Sequence, residues 1–144
     1  MVVRKAELSD IPAITELASL LWPGHEPEQL REELTGILKK ADAAFFLSEE
    51  EIPMGFAQCQ LRHDYVEGTE SSPVGYLEGI YVRPECRGRG TASKLLEAAQ
   101  NWARKQGCRE FASDCELTNT ESLRFHVAMG FEEANRIICF TKKL

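Results

Sequence analysis

The feature that most constrains this fold is the stretch "VGYLEGIYVRPECRGRGTASKLLEAAQNWARK", residues 74–105. Its first nine residues are apolar at both alternations, which predicts a strand that is covered on both faces of a sheet. The part after the glycines carries an apolar stripe at helical spacing and is predicted to end at Gly107. With the next strand, "CREFASD", this strand and helix are predicted to form a βαβ unit over residues 74–114, whose crossover should be right-handed.

The remaining segments extend this unit on both sides. "VVRKA" reads as a short strand, "LSDIPAITELASLLW" and "EPEQLREELTGILKK" as amphipathic helices, and "AAFFLS" and "MGFAQCQLR" as two strands joined by an acidic turn. "NTESLRFHVAM" reads as a helix closed by Gly130, and "RIICFTKKL" as a last strand. The predicted fold is α/β, a mixed sheet flanked by helices in the order β-α-α-β-β-β-α-β-α-β. No linker or repeat interrupts residues 1–144, so we expect one domain.

Composition excludes several classes of function. A formal net charge of -6 and a pI of 5.2 argue against nucleic acid as a partner and favour a cationic small molecule. Five cysteines are an odd number without a CxxC pair, so we expect neither a disulfide framework nor a metal site. No apolar run approaches the ~20 residues of a membrane helix, and the first residues lack an apolar leader, so we expect a cytoplasmic protein that does not bind membranes.

The turn "RGRGTA" is suited to an anion. Gly88 and Gly90 permit a tight backbone bend that leaves N–H groups uncovered, and the helix that follows adds its unpaired N–H groups and its positive dipole end. These features fit a pyrophosphate. The Walker A pattern is absent, and the dinucleotide pattern GxGxxG meets Ser93 at its third glycine. A plain strand-to-helix turn with solvated arginines remains the alternative.

"VRPECRGRGTA" resembles the acetyl-CoA-binding signature of the GCN5-related N-acetyltransferases, Arg/Gln-x-x-Gly-x-Gly/Ala. "NTESLRFHVAMGF" resembles a second feature of that family. The resemblance implies the family's fold and acetyl-CoA as co-substrate. It also implies that the cofactor contacts the end of the strand, the turn and the later helix, at Ile80, Tyr81, Val82, Arg87, Gly88, Arg89, Gly90, Thr91, Ala92, Asn119 and His126.

Two of these positions have particular roles in the family. Asn119 is the position that contacts the pantetheine arm in relatives. His126 stands where many members have a Tyr that protonates the departing thiolate. A histidine cation or a water molecule would have to do so here. The alternative for His126 is a packing residue on the apolar face of its helix.

Acidic residues cluster in two runs without Lys or Arg, from His63 to Val82 and from Ser113 to Ser122. Glu78 lies within the doubly apolar strand, so we expect it to be buried and to need a partner, either a structural Arg or His or a substrate ammonium. Asp114 follows the next strand of the βαβ unit, at the edge where α/β proteins bind ligands. It would either cap a loop or helix or contact the substrate.

"LLWPGHEPEQL", "RHDYVEGTESSPVGYLEGIYV" and "GCREFASD" resemble one branch of the family, the aminoglycoside 6′-N-acetyltransferases. This resemblance implies transfer of an acetyl group to the 6′-amine of aminoglycosides, by direct attack and as antibiotic resistance. Glu78 or Asp114 would accept the proton, directly or through water, and a backbone N–H near Tyr81 or Val82 would polarise the carbonyl. The substrate contacts it implies are Trp22, His25, Tyr65, Glu78 and Asp114.

Three alternatives stay open at this point. The same chemistry could act on another amine, such as a polyamine or a peptide N-terminus. The chain could instead bind CoA without turnover, and Trp22 and Tyr65 could be lid or core residues. Relatives are often homodimers, although the sequence alone shows no interface.

Overall fold

The computed structural model describes all 144 residues. The strands are β1 (Val2–Lys5), β2 (Ala43–Glu49), β3 (Pro53–Arg62), β4 (Val74–Val82) and β5 (Phe111–Ser113). The helices are α1 (Ile11–Leu21), α2 (Pro27–Leu38), α3 (Thr91–Lys105) and α4 (Thr120–Ala128). Two short 3₁₀ turns, Leu8–Asp10 and Pro84–Cys86, precede α1 and α3.

The sheet has the strand order β1-β2-β3-β4-β5. The first four strands pair as antiparallel neighbours, and β5 pairs with β4 in parallel. The mixed sheet and the βαβ unit predicted for residues 74–114 are therefore confirmed. β4 is paired on both sides, as its apolar sequence requires.

Helices cover both faces of this sheet. On one face α3 packs through the apolar stripe that its sequence predicts, and Leu95 and Ala99 are fully buried there against Ala57 and Cys59. Phe125 of α4 packs against the same cluster. On the other face α1 and α2 bury a second cluster, which includes Ile14, Leu17, Leu30, Leu34, Phe45, Leu47 and Phe56. Two separate cores therefore sit on either side of the sheet, and the α1/α2 face is the one on which the carboxylates described below lie.

An ion pair fixes the start of α1 against β1. Two guanidinium nitrogens of Arg4 donate to the two carboxylate oxygens of Asp10, each at 2.8 Å. Asp10 also accepts the backbone N–H of Glu7 at 2.7 Å. The hydrogen bond from Arg4 holds the pKa of Asp10 below its usual range.

The prediction of a last strand over "RIICFTKKL" is wrong. Residues 132–144 share no backbone–backbone hydrogen bond with the rest of the chain, and the side chains of Ile138 and Phe140 are 80% and 87% exposed. The segment follows the β3–β4 loop through side chains instead, where Asn135 Nδ2 donates to Glu67 Oε1 at 3.3 Å. A strand needs a neighbouring strand for its N–H and C=O groups, and this segment pairs with neither outer edge of the sheet.

None of the four helices combines the length and the apolar character that crossing a bilayer requires.

Candidate active site

The turn between β4 and α3 presents uncovered backbone N–H groups. Gly88 and Gly90 have φ angles of 78° and 77°, a left-handed conformation that favours glycine. No N–H from Gly88 to Ser93 donates to a main-chain carbonyl, and the first helical bond is from Lys94 N to Gly90 O at 3.1 Å. A Cβ at either glycine would meet no atom within 4 Å, so the space around the turn is open. Uncovered donors at a helix start, facing open space, are suited to an anion such as a diphosphate.

The arginines of the turn are already engaged within the chain. Arg87 Nε donates to Val82 O at 2.9 Å, and Arg89 Nη1 lies 3.2 Å from Glu50 Oε2. Their side chains are 46% and 50% exposed, so they add positive charge beside the turn while part of each guanidinium is held by these contacts. Main-chain amides are therefore the principal donors of this site.

Thr91 and Ala92 begin α3. Thr91 is buried, and its hydroxyl is the one buried side-chain polar atom without a hydrogen-bond partner, whereas Ala92 is half-buried. Both residues contribute to the turn through their backbone N–H groups.

β4 and β5 diverge directly after the short stretch where they pair. β5 pairs only with Gly75–Leu77, so no strand lies beside Ile80, Tyr81 and Val82 on that side of β4. Backbone groups of a strand alternate between its two edges, and some N–H and C=O groups of residues 78–82 therefore face a gap. The gap runs along β4 from the point of divergence to the glycine turn.

His126 of α4 lies at the point where the two strands diverge. Its Nδ1–H donates to Ser122 O at 2.7 Å, because a carbonyl can only accept. Its Nε2 lies 2.8 Å from Ser113 Oγ, which in turn lies 3.3 Å from Leu77 O. When the imidazole is neutral, the Ser113 hydroxyl donates to Nε2. When the imidazole is protonated, Nε2–H donates to Ser113, whose hydroxyl turns to Leu77 O, so both charge states of His126 are satisfied.

His126 also packs against aromatic rings. The centroids of Phe125 and Phe131 lie 5.6 and 5.1 Å from that of the imidazole. His126 is thus a packing residue that also forms hydrogen bonds, and its role as the proton donor stays a prediction.

Asn119 is the N-cap of α4. Its Oδ1 accepts the backbone N–H of Ser122 at 3.1 Å. The side-chain nitrogen forms no hydrogen bond within the chain and is available to a ligand.

Glu78 occupies a bulge in β4. Gln58 of β3 pairs with Gly79 and Cys59 pairs with Leu77, which leaves Glu78 without an opposite residue. The expectation that Glu78 is buried is wrong, because its side chain is 21% exposed. The partner that a half-buried carboxylate needs is Arg62, whose Nε and Nη2 donate to the two carboxylate oxygens at 3.1 and 2.9 Å.

A chain of polar contacts connects Glu78 to Asp114. The Arg62 guanidinium lies 3.4 Å above the ring centroid of Tyr76, and the Tyr76 hydroxyl donates to the carboxylate of Asp114. Burial raises the pKa of Tyr76, and so does the hydrogen bond to Asp114, so this phenol remains a donor. Asp114 itself is exposed. The structure thus brings together the two carboxylates that the sequence indicated, through residues that the sequence analysis had not selected.

Trp22 lies beside this carboxylate cluster, which we define as Glu78, Arg62, Tyr76 and Asp114. It is half-buried at the end of α1, and its ring covers Gly79 so closely that a Cβ there would lie 2.6 Å from Trp22 Cζ2. The Trp22 ring also packs edge-on against the core, since its centroid lies 6.1 Å from that of Phe56. Trp22 therefore acts both as a core residue and as a wall of the site.

The other two predicted substrate contacts lie in loops. Tyr65 is 75% exposed, and its hydroxyl accepts the Gly68 N–H at 3.3 Å. His25 is exposed in the α1–α2 loop. Neither side chain forms a hydrogen bond with Glu78 or Asp114, so the structure leaves both outside the cluster.

Arg62 and Tyr76 are the residues of the cluster that sequence reasoning missed, and Arg62 is the one with a charge. It stands one position before the acidic run that begins at His63, so a search within that run for basic residues passes it by. The sequence feature that could have identified Arg62 is its position at the end of β3, directly before the loop that leads into β4.

Comparison with known proteins agrees with this geometry. Residues 11–131 match the model of the acetyltransferase (GNAT) family. The chain belongs to the GNAT family of acetyltransferases. The resemblance predicted from the turn and from the "NTESLRFHVAMGF" segment is therefore confirmed, as is the fold.

Curated members of this acetyltransferase family are similar over the whole chain. Aminoglycoside N(6')-acetyltransferase type 1 of Stenotrophomonas maltophilia is 44% identical over 144 residues, which cover 99% of this chain and 93% of that protein. The enzyme of the same name from Salmonella typhimurium is 40% identical and covers 99% of each chain.

Solved structures show the same fold. AAC(6')-Iy in complex with the bisubstrate analogue CoA-S-monomethyl-acetylneamine has a TM-score of 0.95 at 40% identity, covering 99% of this chain and 98% of that one. The apo form of AAC(6')-IG from Acinetobacter haemolyticus also has a TM-score of 0.95, at 34% identity, covering 100% of this chain and 99% of that one.

Proposed function

We propose that this GNAT enzyme transfers the acetyl group of acetyl-CoA to the 6′-amino group of aminoglycoside antibiotics, and so confers resistance to them. The observation that carries the proposal is the carboxylate cluster around Glu78 of β4, the strand that leads into the uncovered N–H groups of the glycine turn. The carboxylates suit a polyammonium sugar, and the N–H groups that follow the same strand suit an anionic acyl donor. Relatives named as aminoglycoside N(6')-acetyltransferases, and the complex of AAC(6')-Iy with a CoA-linked aminoglycoside analogue, support the same reading.

The glycine turn and the gap would hold acetyl-CoA. The N–H groups of residues 88–93 face the space where a diphosphate fits, and the Asn119 side-chain nitrogen can donate to the pantetheine arm in the gap beside β4. When bound, acetyl-CoA supplies an activated thioester carbonyl. A β4 N–H near Tyr81 or Val82 that faces the gap polarises the carbonyl oxygen.

The carboxylate cluster binds and deprotonates the amine. An alkylammonium must lose a proton before its nitrogen can attack, and Glu78 or Asp114 accepts that proton, directly or through water. The new C–N bond forms as the C–S bond breaks. His126 then gives a proton to the departing sulfur, and the Ser113 hydroxyl adjusts to either charge state of the imidazole. No side chain of the protein needs to become acylated.

Trp22, Tyr65 and His25 would shape the remainder of the substrate site. Trp22 presents an apolar face beside Glu78, which suits the carbon face of a sugar ring. Tyr65 and His25 are exposed in flanking loops, where a bound sugar would bring them into contact.

The test compares two aminoglycosides that differ only at the 6′ position, with an amino group in one and a hydroxyl in the other. Release of free CoA is followed with a thiol reagent, and enzyme alone gives the baseline because Cys115 and Cys139 are exposed thiols. We expect release with the 6′-amino compound only. Equal release from both overturns the 6′ assignment. Release with spermidine but not with aminoglycosides shows a polyamine enzyme, and no release with any amine shows a CoA-binding module.

We further infer that the enzyme is a homodimer joined through residues 132–144. This segment has strand-forming sequence, carries the exposed apolar side chains of Ile138 and Phe140, and forms no backbone–backbone hydrogen bond. A second copy of the chain buries these apolar side chains and hydrogen-bonds to the backbone of the segment. Light scattering should show a dimer that Phe140→Lys dissociates, whereas Ile52→Lys, at another exposed apolar side chain, leaves it intact. A monomeric wild type contradicts the inference.

The cysteines support a cytoplasmic location. All five are free, and two of them are exposed, which suits a reducing compartment.

A further inference from the structure

Arg62 is hydrogen-bonded to Glu78, the carboxylate that we expect a substrate ammonium to bind. Its guanidinium takes both oxygens of Glu78, in the fork geometry that is the strongest arrangement for this pair of groups. An ammonium of the substrate that approaches Glu78 meets a carboxylate whose two oxygens are already hydrogen-bonded to a cation. The site therefore contains, before substrate arrives, a positive group in the place where one is expected to bind.

The surroundings of Arg62 allow it to leave this position. Arg62 is the last residue of β3, and its side chain is 43% exposed, so its outer side already faces water. Tyr76 offers the guanidinium a ring to rest on, 3.4 Å from the ring centroid, whether or not Glu78 is its partner. Because the Arg62 side chain is 43% exposed, water can replace its contact with Glu78 when the ion pair opens.

The charge of the site depends on this residue. Glu78 and Asp114 contribute two negative charges, and Arg62 is the cation that forms a salt bridge with Glu78. A polyammonium substrate is attracted more strongly when the two carboxylates are uncompensated.

We propose that Arg62 is an internal competitor of the substrate, which occupies Glu78 in the free enzyme and gives way to a substrate ammonium. The proposal rests on the aminoglycoside acetyltransferase function proposed above. A protein whose binding-competent state is populated only part of the time binds its ligand more weakly by that fraction. Arg62 thereby raises the KM for the substrate. Only a cation that binds Glu78 strongly enough to displace the guanidinium is bound.

The experiment measures kcat and KM of Arg62→Gln, Arg62→Lys and the wild type with a 6′-amino aminoglycoside. Arg104→Gln is the matched control, because it removes the same charge from an exposed arginine on α3, which packs on the opposite face of the sheet. Calorimetric titration of CoA into each variant shows that the protein is folded and that the glycine turn is intact.

We expect Arg62→Gln to lower KM about 3- to 10-fold while kcat changes less than about twofold, which corresponds to a free enzyme closed by Arg62 for most of the time. Arg62→Lys should give an intermediate KM, because an ammonium keeps the charge but loses the fork. Arg104→Gln should match the wild type. A KM that rises or stays constant in Arg62→Gln, or a kcat that collapses, overturns the proposal and makes Arg62 a positioning residue for Glu78. If the glutamine variant fails to bind CoA, the lysine variant decides on the same criterion, whereas a wild type without thiol release shows instead that the proposed function is wrong.

Discussion

Replacing Glu78 by Gln separates its role in catalysis from its role in folding. Glutamine keeps the shape of the side chain and one oxygen that Arg62 can still reach, but it removes the charge and replaces the second acceptor oxygen by an NH₂ group. A hydrogen bond to a charged group is worth about 1.5–3 kcal/mol when its partner is otherwise desolvated. We therefore expect kcat/KM for a 6′-amino aminoglycoside to fall about 10- to 100-fold, since ~1.4 kcal/mol corresponds to a tenfold change in rate.

The stability of this variant should change far less. Glu78 is 21% and Arg62 is 43% exposed, so the guanidinium can turn to water when its carboxylate partner is lost. Exposed ion pairs contribute about 0.2–1 kcal/mol to the free energy of unfolding, and the glutamine keeps one acceptor for Arg62, so we expect a loss of about 1 kcal/mol. The contrast between a large kinetic effect and a small effect on folding is the signature of a residue that contacts the substrate.

Thiol release gives kcat and KM, and urea denaturation gives the free energy of unfolding. Glu97→Gln is the matched control, because Glu97 is exposed on α3 and loses the same charge. A Glu78→Gln enzyme whose kcat/KM stays within about twofold of the wild type would refute the reasoning. So would a loss of several kcal/mol in the free energy of unfolding, which would assign Glu78 to the scaffold.

Three further outcomes follow from the geometry. Gly90→Ala forces an alanine into a φ of 77° without a clash, so urea denaturation should show a loss of about 1 kcal/mol and calorimetry a weaker affinity for CoA; unchanged stability would contradict the left-handed turn. Asp10→Asn should be less stable than the wild type at pH 7 by about 1–2 kcal/mol, because the hydrogen bond from Arg4 lowers the pKa of Asp10 in the folded state. That stabilisation is present above the pKa of about 3.9 of an unfolded chain and is lost as the pH falls through the lower folded value, so urea titrations should converge below about pH 4; a constant gap argues against the ion pair. Ser113→Ala leaves Nε2 of His126 without its partner, and stopped-flow or steady-state assays should show a lower kcat with CoA affinity retained; an unaltered kcat shows that the Ser113 hydroxyl takes no part in the proton transfer.

Patterns of apolar residues were sufficient to predict most of the fold. The doubly apolar sequence of β4 predicted a strand paired on both sides, and the stripe on α3 predicted the side chains that it buries, such as Leu95 and Trp102. Such patterns record which side chains avoid water. They do not record whether a neighbouring strand is free to pair, and for this reason "RIICFTKKL" was predicted as a strand that the structure does not contain.

The candidate site was predicted less completely, because it depends on which residues of β3 and β4 lie opposite each other in the sheet. The bulge at Glu78 arises because Gln58 and Cys59 pair with Gly79 and Leu77, and nothing in the sequence of β4 alone reveals it. The bulge and the reach of Arg62 along the sheet both depend on how β3 and β4 align. A long side chain at the end of one strand can thus become the partner of a carboxylate several residues away on the next, which local patterns do not show.

The two parts of β4 differ in how strongly their proposed roles depend on the identity of the side chains. Its later part would grip the acyl donor through amides, which every amino acid possesses, so point changes there are tolerated as long as the backbone keeps its path. Its earlier part would select the amine through the carboxyl group of Glu78 and the neighbours that engage it. A descendant of this enzyme could therefore acquire a different drug profile through a few codons on one side of the sheet, while inheriting its acetyl transfer chemistry unaltered.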